Sequence, residues 1–230
     1  KKYDWIKLMN IDDIKREFPI FDDKIQNNDL VYLDSANSSQ KPRIVVDRIY
    51  DFYTKEFSNV GRSVHYLAVA ATNLYEQTRV SVQKYINAKD KDEIVFTKGA
   101  TEAINLVANT FGQKYLSEGD EVLLTELEHH SNYVPWHFLR KAKNIKIEFA
   151  EINDNGEVTL EAIEKKITSK TKIISVSHLS NVTGAILPIK EIVQLAHSKN
   201  IPVLIDGCQG APHLKLDMQD IDCDFYAISG

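Results

Sequence analysis

From Glu93 onward, short β-rich apolar runs alternate with stretches of helical spacing, and this restricts the chain to few architectures. The runs are Glu93–Thr97 (EIVFT), Glu121–Thr125 (EVLLT), Ile145–Ala150 (IKIEFA), Lys172–Ser177 (KIISVS), Pro202–Asp206 (PVLID) and Asp224–Ser229 (DFYAIS). Between them lie TEAINLVANTFGQKYL, NYVPWHFLRKAK, LEAIEKKI and IKEIVQLAHSK, the last with Ile189, Ile192, Val193 and Ala196 on one helical face. Strands separated by helices form a mainly parallel sheet covered on both faces, a three-layer α/β/α fold. The first ninety residues differ, offering two helical candidates, Ile44–Phe57 and Ala71–Ala88. No repeat, low-complexity tract or Pro/Gly linker divides the chain, so residues 1–22 read as an N-terminal arm and 23–230 as one domain.

Composition removes several functions. A net charge of −5 with dispersed Lys and Arg does not suit a phosphate backbone, so no nucleic-acid partner is expected. There is no run of about 18 apolar residues and no apolar signal core near the start, so the sequence reads as cytoplasmic, without membrane association. Cys208 and Cys223 match no CxxC pattern and read as reduced core thiols.

In an open parallel sheet ligands bind beyond the carboxyl ends of the strands. After Thr97 comes KGATEAINL, where the N–H groups opening a helix at Ala100 and the Thr101 hydroxyl form either an anion cradle or a simple capping box. After Thr125 comes ELEHHSNYVPW. Of His129 and His130 at most one faces a cleft from extended chain, where its imidazole would stack on an aromatic ligand. The alternatives are a surface histidine or the start of a metal site with His137, for which the other ligands lack suitable spacing. Asn181 in SHLSNVTG presents an amide or stabilises a turn. Asp206 ends the apolar run PVLID, where a carboxylate is costly unless a cation or hydrogen-bond donor meets it; Gln209 follows three residues on. A helix-capping Asp is the alternative. A planar, phosphorylated, protonated heteroaromatic such as pyridoxal phosphate satisfies these positions together.

The segments YLDSANSSQKP, GATEAINLVAN, EHHSNYVPW, SHLSNVTGAILP, DGCQGAPH and DCDFYAISG resemble, in order and spacing, the Suf-type cysteine desulfurases of the class V aminotransferases, from about Phe18 to Gly230. The resemblance implies the large domain of a fold type I pyridoxal phosphate enzyme, incomplete within 23–230 and without the C-terminal small domain. It implies that Thr101, the backbone near Ala100, and Ser229 hold the phosphate, and that His129 stacks on the ring as a catalytic residue. Asp206 would pair with the ring nitrogen, Gln209 contact the phenolic oxygen and Asn181 line the substrate side. Implied partners are L-cysteine, a second copy of the chain and a sulfur-acceptor protein serving iron–sulfur cluster assembly.

In the family a Schiff-base lysine follows Ser-Gly and a nucleophilic cysteine lies in the C-terminal half. Residues 1–230 hold neither: Lys98 and Lys215 read as solvated, and Cys208 and Cys223 match no catalytic position. Residues 1–230 alone are therefore expected to be inactive, a part of a longer chain or a remnant. The family also sets an antiparallel strand between Glu93–Thr97 and Asp224–Ser229, whose loss leaves bare edges. Gly61, Asn37 and Ala100 depart from the usual histidine, alanine and threonine, while Arg62 and His65 match. Selenocysteine lyase or another class V lyase is the alternative activity, and a non-catalytic remnant or dimer-forming binding module the alternative from another class.

Overall fold

A computed structural model describes residues 10–230, which fall into two compact units, one ending at Thr78 and the other Arg79–Gly230. The first begins with α1 (Ile11–Arg16), whose Asp12 N–H is capped by the Asn10 side chain. A minimal hairpin follows, β1 (Lys24–Ile25) and β2 (Asn28–Asp29). Its turn residues Gln26 and Asn27 both have positive φ, the twist that two-residue hairpins need. Next come α2 (Arg43–Asp51), extended by a π turn at Phe52–Glu56, and α3 (Tyr66–Tyr85), whose last turns belong to the second unit. His65, one of the family-matching positions, accepts the Ala68 N–H at Nδ1 and so caps α3.

The second unit contains α4 (Ala100–Val107), α5 (Gln113–Tyr115), β3 (Glu121–Thr125), α6 (His130–Lys143), β4 (Lys146–Ala150), α7 (Leu160–Lys166) and β5 (Thr171–Ser177). It continues with α8 (Ile189–Ser198), β6 (Val203–Asp206), α9 (Gly210–His213), α10 (Met218–Ile221) and β7 (Phe225–Ala227). The five strands β3 to β7 pair in the order β4-β3-β5-β6-β7, all parallel, as the alternation of runs predicts.

Side-chain alternation sorts the layers. Val122, Leu124, Ile173, Leu204 and Ala227 pack with Ile104 of α4 and with Trp136 and Leu139 of α6. Their neighbours Leu123, Ile174, Val176, Val203 and Ile205 pack on the other face with Ile163 of α7 and Ile192 and Val193 of α8. The same period carries Ser175, Ser177 and Asp206 onto the side of α4 and α6. Two apolar faces need two helix layers, hence the α/β/α arrangement.

One expected strand does not form. Glu93–Thr97 follows a 3-10 turn at Lys91–Glu93 and runs on without strand pairing. An extended segment becomes a strand only when a neighbour takes its backbone groups, and among the described residues β7 pairs only with β6. Between them lies a groove of about 1120 Å³ lined by Phe96, Gly99, Tyr226, Ile228 and Ser229 among others. β7 is also shorter than the Asp224–Ser229 run suggests. Among the described residues no helix is long and apolar enough to cross a membrane.

Candidate active site

The start of α4 is built around Gly99, whose φ of +148° lies where a side chain is strained. Glycine lets the chain turn sharply into the helix, and the Ala100 N–H donates to Ser229 Oγ at 3.3 Å. A Cβ on Gly99 would meet that hydroxyl at 3.5 Å, an ordinary contact, so the backbone angle rather than space is what requires glycine here. Ala100 is buried; Thr101 is exposed in the first turn. This end of α4 carries unpaired N–H groups and the positive end of the helix dipole.

β3 leads into a tight turn that ends in His129, the N-cap of α6. Nδ1 of His129 accepts the Ser131 N–H at 3.2 Å and faces Ser131 Oγ at 2.7 Å. Since a backbone N–H only donates, Nδ1 is the acceptor and the ring proton sits on Nε2. His129 is exposed, and its ring stands edge-on to His130, which turns toward a different depression lined by Tyr133 and Phe149. The two rings thus diverge, as adjacent side chains must.

Glu128, which the motif reading passes over, lies beneath this turn. Its carboxylate receives Thr125 Oγ1 (2.6 Å), Asn132 Nδ2 (2.6 Å), and both the N–H (3.0 Å) and Oγ (2.8 Å) of Ser177. Burial pushes its carboxyl above the usual range, and these donors pull it back. Sequence gives one signal, the Thr-x-x-Glu spacing at a strand end.

Asp206 closes β6, paired with Ser177 of β5 and Ala227 of β7, and is buried at 5% exposure. One carboxylate oxygen accepts the Cys208 N–H at 3.1 Å. The Asp206–Ala227 pairing of β6 with β7 brings Ser229, two residues on, toward the α4 start, where its hydroxyl accepts the Ala100 N–H. Gln209, half-buried, immediately precedes α9. Asn181 is exposed in the turn after β5, which Ser180 Oγ holds by accepting the Val182 and Thr183 N–H groups. Asn181 shares the end of the sheet where the other predicted residues lie. Beneath it, His178 Nδ1 meets Tyr226 Oη at 2.6 Å. Burial lowers the imidazole to about 4 and raises the phenol, so Tyr226 donates to a neutral His178.

The strand ends therefore bring Ala100, Ser229, Asp206 and, through Glu128 and Ser177, His129 to one rim on the α4 and α6 side. Lys98 and Lys215 are exposed, and burial drives both thiols up to about 12, aided at Cys208 by Asp206 and at Cys223 by Asp224. Neither cysteine is a ready nucleophile.

The aminotransferase class-V family model matches residues 31–230. The chain belongs to that family. Members of the class-V family depend on pyridoxal phosphate, and the residues of this rim fit it: a glycine-opened helix start for an anion, a flat ring, and a buried carboxylate. This class-V chain is 45% identical over 222 residues to a probable cysteine desulfurase of Halalkalibacterium halodurans, covering 96% of the chain and 55% of that relative. It is 41% identical to a cysteine desulfurase of Dickeya dadantii, covering 96% and 53%. Among solved structures it superposes on the cysteine desulfurase CsdA of Escherichia coli with TM-score 0.84 at 35% identity, covering 96% and 54%. With the apo cysteine desulfurase of Thermococcus onnurineus NA1 the TM-score is 0.87 at 34% identity, covering 96% and 53%. The chain spans about half the length of the curated relatives it matches.

Proposed function

We propose that this chain is the cofactor-holding part of a cysteine desulfurase, which takes sulfur from L-cysteine and leaves L-alanine. One observation carries the reading: the α4 start, the His129 turn and the end of β6 converge on one side of a parallel sheet, linked by Ser229, by the pairing of Asp206 with Ser177 and Ala227, and by Glu128. Residues 23–230 are then an incomplete cofactor domain, with 1–22 an arm. Thr101, the Ala100 backbone and Ser229 hold the phosphate, His129 offers its ring face, and Asp206 meets the pyridine nitrogen. Gln209 reaches the phenolic oxygen and Asn181 faces the substrate. Bound there, pyridoxal phosphate supplies an electron-withdrawing ring that acidifies the substrate's α-carbon.

The chain's own part is to bind, orient and keep charge in place. Asp206, oriented by the Cys208 N–H, would meet a protonated ring nitrogen. His129 is oriented by its Nδ1, which accepts the Ser131 N–H. In the overall reaction the carbon–sulfur bond breaks, sulfur passes to an enzyme thiolate as a persulfide, and the carbon takes a proton. The amine that moves protons and the thiolate that takes sulfur are assigned to the part of the relatives that this sequence does not span, because Lys98, Lys215, Cys208 and Cys223 do not suit those tasks. The proposal includes a homodimer, supported by the exposed Ile44, Ile49, Tyr53 and Phe57 of the first unit. It also includes a cytoplasmic setting and a sulfur-acceptor protein that feeds iron–sulfur cluster assembly.

The test is turnover. A protein carrying these residues and the remaining family portion should convert L-cysteine to alanine with pyridoxal phosphate present, and release the persulfide sulfur as sulfide when a dithiol reductant is added. Asp206→Asn should cut kcat/KM at least about a hundredfold, on the scale of losing a charge-assisted contact to the reacting system. Absence of alanine despite bound cofactor would refute the substrate assignment. Residues 1–230 alone should release no sulfide, and release at enzyme-like rates would refute the placement of the missing groups.

A further inference from the structure

Glu128 sits where three elements meet. Thr125 ends β3, Asn132 lies in the first turn of α6, and Ser177 ends β5 and pairs with Asp206 on β6. All three donate to the one carboxylate, Ser177 through both its N–H and its hydroxyl. The network continues inward: Asn132 Oδ1 accepts Ser175 Oγ at 2.5 Å and Trp136 Nε1 at 3.5 Å. Asn132 and Ser175 are fully buried. A carboxylate in such a place is expensive, and an apolar or amide side chain would fill the same space at lower cost. What only an acceptor with two equivalent oxygens does is bind donors from β3, α6 and β5 simultaneously, in fixed directions. Its neighbour in sequence is His129, and the strand partner of its Ser177 ligand is Asp206. His178, next along β5, also donates its N–H to the Asp206 carbonyl at 2.9 Å.

We propose that Glu128 is a positioning residue that fixes the separation and facing of His129 and Asp206, so that the two present a slot of constant width to a flat heteroaromatic. This rests on the reading that those residues embrace pyridoxal phosphate. Nothing in the role requires Glu128 to touch cofactor or substrate.

The test combines nitrogen-15 NMR of the histidines with binding of pyridoxal 5′-phosphate to the protein. In the wild type the Ser131 N–H bond to Nδ1 should bias the ring of His129 toward the Nε2–H tautomer. Glu128→Ala should average that signal between tautomers and weaken cofactor binding about tenfold. Glu128→Gln, which keeps an acceptor toward Thr125 and the Ser177 N–H but loses the one toward Asn132, should restore only part of the affinity. Ser177→Ala removes one donor while leaving the backbone ladder intact, and should give a smaller loss of the same kind. It keeps the proposal falsifiable if Glu128→Ala does not fold. Unchanged His129 signals and unchanged affinity in the folded variants, with only a lower Tm, would overturn it. A loosened His129 in variants of a protein whose wild type binds no pyridoxal phosphate would support the positioning role and refute the cofactor reading instead.

Discussion

Gly207 has no room for a side chain, because a Cβ there would overlap the Tyr226 ring. Gly207→Ala is expected to destabilise by about 3 kcal/mol, read from urea midpoints, and by much less in a Tyr226→Ala background, since the clash is pairwise. The thiols allow a second check. With Cys208 and Cys223 near 12, thiolate at pH 8 is scarce, and alkylation of the folded protein should run about a thousandfold slower than after denaturation. Equal rates in both states would contradict the burial of these groups. At this scale the sequence is readable where chemistry breaks pattern: Asp206 stands out because it ends an apolar run. Glu128 does not, because a glutamate among polar residues resembles loop, and only the fold brings Ser177 to it.

Between elements, the His178–Tyr226 pair joins the end of β5 to β7, with Gly210 of α9 packed so closely that a Cβ would lie 2.7 Å from His178 Nδ1. An imidazole lowered from 6.5 to about 4 binds fewer protons folded than unfolded. Stability from this group is therefore complete above pH 6.5 and lost as pH falls toward 4. His178→Gln should flatten the urea midpoint against pH across that window relative to wild type, and parallel slopes would count against the buried neutral ring. Elements were legible from period and composition for β3 to β7 and for α4 and α6 to α8. Glu93–Thr97 was misread because strand propensity says nothing of whether a partner exists.

For the whole molecule, the α/β/α class follows from alternation alone, and the side of the sheet that holds the site follows from a period of two. Which loops meet there is set by strand order, which local sequence does not contain; only the motif resemblance supplied it. Assembly is likewise a property of surface rather than of motif. If α2 forms a contact between copies, Ile49→Asp should raise the dimer dissociation constant at least about tenfold in sedimentation, without lowering the thermal midpoint. An unshifted constant would place the contact elsewhere.

Among the described residues, the three of β7 have no strand on the side away from β6. That is enough for one extended peptide to dock by a few main-chain bonds, yet too brief a template for chains to stack upon one another without limit. Brevity at that margin suits the one antiparallel strand that the family resemblance sets there and offers little foothold for fibre growth.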